Sequence, residues 1–197
     1  MELTENPWHR LPQELVDIVL DALTTSYMDD PTFQWLILRR ISSHRMRKVE
    51  QLFLRYWLPK LTITLYSGSW FHIDYTMPNT MSTTCQNRVH FEADQDNIVD
   101  RSIEAGLYTL WHHYSFENRV AHLRLGEGVL NHGIREGHIV NDTDIVGLKV
   151  EREGLSISFD WKQTIHSLLR EEMLMHKIQK QLVCASNLDK VDGGRPY

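Results

Sequence analysis

Leu58-Pro59 divides this chain into two hydrophobic rhythms. Before it, apolar residues recur every three or four positions, the repeat of a helix with one buried face. After it they recur every second position. Leu61, Ile63 and Leu65 alternate with Thr62, Thr64 and Tyr66, as in a strand with one face against a core. The two repeats demand different backbones, so the chain is expected to be α+β, helical to about residue 60 and β-rich beyond.

In the helical part, Leu11-Pro12-Gln13-Glu14 reads as a helix start. Proline suits the first turn, where its missing N–H has no partner to lose, and Glu14 faces the positive end of the helix dipole. Leu11, Leu15, Ile18 and Ala22 keep helical spacing, Val16, Val19 and Leu23 widen the apolar face, and Asp17 and Asp21 are expected on the other side. The helix should end at Thr24-Thr25-Ser26, with a new start after Asp29-Asp30-Pro31. A second helical stretch is expected over residues 33–56, broken near Ser42-Ser43, with Trp35, Leu38, Ile41, Val49, Leu52, Phe53 and Tyr56 mainly on one face.

In the β-rich part, a turn at Ser67-Gly68-Ser69 leads to Phe71, Ile73 and Tyr75 alternating with polar residues, a hairpin signal. Strands are also expected over residues 88–92 and 120–125. Val146, Leu148 and Val150 should pair with Leu155, Ile157 and Phe159 across a turn at Arg152-Glu153-Gly154. Asp160 can cap a last helix over residues 160–183, with Gln163 as its capping-box partner. Trp161, Ile165, Leu168, Met175, Ile178 and Leu182 form its seam, which Glu172 interrupts, and residues 189–197 read as a frayed tail.

The chain carries 26 acidic and 21 basic residues in 197, a net charge of −5, which argues against non-specific nucleic-acid binding. Locally, Arg39, Arg40, Arg45, Arg47, Lys48 and Arg55 face one acid, Glu50, a stripe of +5 that reads as a solvated helix face. The opening Met1-Glu2-Leu3-Thr4-Glu5 is acidic and lacks an apolar core, so no secretory leader is expected. No apolar run approaches the ~20 residues of a membrane helix. Cys85 and Cys184 show no metal or redox spacing, and a cytoplasmic or nuclear location is the simplest expectation.

The string Trp8-His9-Arg10-Leu11-Pro12-Gln13-Glu14-Leu15-Val16-Asp17-Ile18-Val19-Leu20 resembles the start of an F-box, which opens with Leu-Pro, then Glu-Leu, an aliphatic pair and a leucine. Residues 38–45, Leu-Arg-Arg-Ile-Ser-Ser-His-Arg, cover the register of its second half. Val49-Glu50-Gln51-Leu52-Phe53 and Leu58-Pro59 resemble the continuation in F-box-like proteins of filamentous fungi. Arg45 stands where the family usually has Trp or Phe, and the segment 24–32 is longer than the compact form. The resemblance covers about residues 8–59. It implies a three-helix module that docks on a Skp-type adaptor of a cullin ubiquitin ligase, with Leu11, Pro12, Leu15, Ile18, Leu38 and Ile41 as partner-binding residues.

Signals for chemistry are weaker. His112 and His113 are adjacent and diverge on a strand or a helix, so they do not chelate one ion together. His132, His138, Asp142 and Asp144 lie in a glycine-punctuated segment, residues 126–147, without the spacing of a zinc or iron site. After Gly126-Glu127-Gly128 the third glycine, Gly133, is misplaced and the lysine of a phosphate loop is absent, so the segment reads as a loop that permits unusual backbone angles. No nucleophile elbow is present, and Glu171-Glu172 read as surface charge.

The expected architecture is therefore an F-box-like helical module at 1–60, a domain at 61–188 with a small antiparallel sheet closed by the last helix, and a tail at 189–197. The expected function is that of a substrate-recognition adaptor, recruiting a ligase through its helices and an unidentified protein substrate through its sheet. It needs no cofactor, metal, nucleic acid or membrane. The alternatives are an F-box-derived scaffold that no longer engages a ligase, and a small enzyme or ligand-binding domain with a pocket in segment 112–144.

Overall fold

A computed structural model describes residues 12–67, 71–78, 87–93, 103–116, 119–126, 139–151 and 155–192. The chain is mixed α+β and divides into two compact units, Met1–Gln51 and Leu52–Tyr197. Among the described residues it has five α-helices and seven strands.

In the first unit, α1 spans Gln13–Ser26 and starts at Pro12, which holds the capping position just outside the first turn. A turn leads to α2, Pro31–Leu36, where the Asp30 carboxylate accepts a hydrogen bond from the Phe33 N–H at 2.8 Å. That bond satisfies one of the free donors at a helix start. Buried Gln34 donates through Nε2 to the carbonyls of Tyr27 (2.7 Å) and Met28 (3.1 Å), closing the turn between the two helices. A 3₁₀ turn at Leu38–Arg40 and the break at Ser42 precede α3, Ser43–Leu52. The break falls where the Ser42 hydroxyl accepts from the Arg45 N–H.

The unit boundary falls inside this helical run, which continues as a π turn at Phe53–Trp57 and a 3₁₀ turn at Leu58–Lys60. Strands β1 (Leu61–Ser67) and β2 (Phe71–Thr76) form the expected hairpin, with Thr62 opposite Thr76 and Ser67 opposite Phe71. Then come β3 (Arg88–Ala93), α4 (Ile103–Phe116), β4 (Val120–Leu125), β5 (Ile139–Asp144), β6 (Lys149–Val150), β7 (Ser156–Asp160) and α5 (Trp161–Asp192). All pairings are antiparallel, and the order is β5-β4-β1-β2-β3-β7-β6.

The sheet must curl. Its edge strands β5 and β6 are joined by residues 145–148 alone. Such a link reaches at most ~17 Å, whereas a flat sheet would put those edges ~29 Å apart. Gly147 turns this link with φ +66°, and the Arg88 guanidinium donates to its carbonyl at 3.0 Å and to the Ser158 carbonyl at 3.0 Å. Leu61, Ile63, Leu65, Ile73, Tyr75, Val89, Phe91, Leu123, Leu125, Ile157 and Phe159 are buried and form the core face. Helix α5 packs against β5 and β7 through buried Trp161, Ile165, Leu168 and Leu169, and α4 against β1 and β6. At Gly106 a Cβ would lie 2.8 Å from the Phe71 ring, so a larger residue would force the ring or the helix to shift.

Several expectations need correction. The sheet is larger than the small one expected. Helix α4 and strand β5 lie where the spacing signalled neither, and α5 continues to Asp192 rather than stopping at residue 183. The hairpin of β6 and β7 exists, but β6 has two residues. The expected turn at 152–154 and residues 193–197 of the expected tail lie outside the described residues.

Candidate functional site

Helix α1 has two apolar arcs. Val16, Leu20 and Leu23 are buried or half-buried, while Leu15, Ile18 and Val19 are 48, 63 and 40% exposed. With exposed Ala22, the latter share the i, i+3, i+4, i+7 spacing of one helix face. The outer arc therefore stays in solvent while the inner arc turns towards the interior of the unit. Exposed Ile37, Ile41 and Met46 add further apolar surface to the same unit.

The six residues expected to bind a partner do not share one environment. Pro12, Leu15, Ile18 and Ile41 are exposed, and Leu11 lies outside the described residues. Leu38, however, is 1% exposed and belongs to the interior together with Trp35 and Val49. Its place in the 3₁₀ turn after α2 points it inward, a change of direction that helical spacing alone does not convey. Val19, Ile37 and Met46 are exposed apolar residues outside the set that the resemblance implies. The signal for Val19 was already in the sequence, since it follows Leu15 by one turn.

The basic stripe is only partly solvated. Arg39 donates to the Glu50 carboxylate through Nε at 3.0 Å and Nη2 at 2.6 Å, and its guanidinium lies 4.3 Å above the Trp35 ring. Arg45 is buried, its side chain 3% exposed, and pairs with the carboxylates of Asp17 and Asp21 and with the Asp17 carbonyl at 2.9 Å. Asp17 and Asp21 thus do not stand on a detached polar face as expected. They border the inner arc of α1 and reach α3. The hydrogen bond from Arg45 holds the Asp21 carboxyl below its ordinary pKa. The position where the resembled family carries an aromatic is here a buried arginine paired with two partly exposed carboxylates.

In the second unit, polar side chains line up across four strands on the face opposite the core. Asp142 lies opposite His122, His122 opposite Thr64, and Thr64 opposite Asp74. His122 Nδ1 is 2.9 Å from Asp142 Oδ1. Asp74 accepts from the Thr64 hydroxyl and, at 2.8 Å, from Arg124 Nη2. The Tyr66 ring sits 5.8 Å from the His72 ring and 6.5 Å from the His122 ring. Arg124 and Asp74 form the ion pair of this row, and His122 and Asp142 form a second polar contact beside it.

The region expected to hold an alternative pocket is spread over different elements. His112 and His113 lie on α4, and Asp142 and Asp144 lie on β5. His132, His138, Gly128 and Cys85 lie outside the described residues. Among the described residues no group of three or more His, Cys, Asp or Glu is placed to hold a metal ion. Gly126 has φ +118°, as expected for a glycine turn, and its N–H donates to the Lys60 carbonyl at 3.2 Å. Glu171, expected to be surface charge, is half-buried and accepts from Asn141 Nδ2 at 2.9 Å and the Thr143 hydroxyl at 2.8 Å. Burial raises the pKa of the Tyr75 and Tyr114 phenols, and Tyr114 Oη accepts from the Tyr66 N–H at 3.0 Å. No helix among the described residues is long and apolar enough to cross a membrane.

Comparison with protein-family models, curated proteins and solved structures finds no match to this chain.

Proposed function

We propose that this chain is an F-box-like substrate-recognition adaptor. Its first unit docks on a Skp-type adaptor of a cullin ubiquitin ligase, and its second unit holds the protein to be modified. The observation that carries the reading is the outer arc of α1, where Leu15, Ile18 and Val19 stand exposed directly after Pro12. An apolar helix face of this kind is what a partner's groove takes up. The Leu-Pro-x-Glu-Leu resemblance supplies the identity of that partner. Function by proximity fits the second unit, whose polar row is internally paired.

The direct test is capture of a purified Skp-type adaptor by the full chain, wild type against Leu15→Asp plus Ile18→Asp. Both positions are exposed, so the double variant keeps its helical circular dichroism while losing the adaptor. Failure of the wild type to bind at micromolar concentration would remove the reading. The specific rival is an F-box-derived scaffold without a ligase. It draws on Arg45, an ion-paired arginine in the register of the family's aromatic. Under that reading, an adaptor that ignores the wild type would bind Arg45→Trp.

A further inference from the structure

Helix α5 is about 48 Å long, and its two halves live in different surroundings. Up to Leu169 it packs on the sheet, and Glu171 fastens it to β5. From Leu174 to Leu182 every side chain is exposed. Leu174, Met175, Ile178 and Leu182 form one apolar stripe on that stretch, with the 3- and 4-residue steps of a coiled-coil seam from Met175 to Leu182. Lys180 and Lys177 lie on the far side of the helix, away from the stripe. Gln179 and Gln181 flank it, one on each side.

We infer that the occupant of this stripe is the same stripe of a second copy, paired antiparallel about a two-fold axis near Lys180. In that register Ile178 of one copy meets Leu182 of the other, twice by symmetry. Gln179 and Gln181 then each face their own counterpart. Next to a two-fold axis a flanking side chain meets its own counterpart, so a lysine or glutamate at either position would face a like charge. A glutamine amide both donates and accepts, and it pairs with its own image. The direction follows from bulk. The turns of α5 up to Glu171 are packed on β5, so a parallel pair would bring both sheets to the same end of the seam, whereas the antiparallel pair puts them at opposite ends. Roughly thirteen residues of each helix, ~20 Å, overlap before the sheets are reached. An interface of that size gives a weak dimer that depends on concentration.

The test is sedimentation of the full chain from micromolar to several hundred micromolar. The wild-type mass should rise from 23.2 kDa towards twice that value. Ile178→Lys plus Leu182→Lys should stay monomeric with unchanged circular dichroism, both positions being exposed. Gln179→Glu plus Gln181→Glu should weaken association about tenfold at low salt and recover as salt screens the repulsion. Lys180→Glu should associate like the wild type. A wild type that is monomeric throughout would overturn the inference and assign the stripe to another partner. A glutamate pair that associates normally would overturn the two-fold register.

Discussion

Leu38 and Ile18 both belong to the apolar pattern of the first sixty residues, yet the structure buries one and exposes the other, and truncating each to alanine should separate the two. Leu38 is 1% exposed. Removing its side-chain carbons leaves a void that its neighbours fill only in part, a change that costs about 2–5 kcal/mol. Ile18 is 63% exposed and buries little more than a third of its surface. Full burial of such a side chain contributes ~1.5–3 kcal/mol, so a third amounts to ~0.5–1 kcal/mol. Alanine also returns about 0.4 kcal/mol through its better helix propensity. Ile18→Ala should therefore change stability by less than ~0.6 kcal/mol, at least threefold less than Leu38→Ala. Native-state hydrogen exchange of the α1 and α3 amides reads this difference locally, without assuming that both units unfold together. Adaptor capture should reverse the order: Ile18→Ala weakens it with the fold intact. An Ile18→Ala variant as unstable as Leu38→Ala would refute the reasoning, because the outer arc of α1 would then be core rather than exposed surface.

The Arg45 ion pair is asymmetric, since the guanidinium is buried while Asp17 and Asp21 keep solvent contact. Arg45→Met should therefore cost no more than ~1.5 kcal/mol, and Asp17→Ala plus Asp21→Ala, which strands the buried cation, should open α3 to exchange more than Arg45→Met does. The lowered pKa of Asp21 stabilises the fold above the carboxyl's unfolded pKa of about 4, and this contribution is lost as pH falls through the folded value. An acid titration of α1 exchange should show it, and Arg45→Met should remove the larger part of it, leaving the contribution of Lys48. At the alkaline end the sign is opposite: the phenols of Tyr75 and Tyr114 titrate higher in the fold than their ordinary 10.0. Their stabilisation is whole below that pH and lost above it, so tyrosinate absorbance and loss of sheet circular dichroism should rise together. Glu171→Ala leaves the Asn141 and Thr143 donors without their acceptor and should destabilise the second unit by about 1–3 kcal/mol in urea unfolding.

What the sequence determined by itself is the set of elements whose causes lie within a few residues. The alternation from Leu61 to Tyr75 produces the expected hairpin. The Asp160 carboxylate accepts from the Gln163 N–H at 3.1 Å and from Gln163 Nε2 at 2.9 Å, at the helix start where the two were expected to cap. Gly126 takes the positive φ expected of it. Strand β5 escaped because Asn141-Asp142-Thr143-Asp144 has the composition of a loop. Its extended form comes from pairing with β4 on one side and from the Glu171 carboxylate over its inner face. Helix α4 carries apolar and aromatic residues around much of its circumference, so its sequence shows no single face. Its position depends on Gly106 clearing the Phe71 ring. Which apolar residue turns inward, Leu38 or Ile18, and whether an arginine lies buried or solvated are questions about neighbours distant in the chain. Spacing along a helix says which residues share a face, but only the packed chain settles what that face meets, because burial is a property of the surroundings and not of the residue.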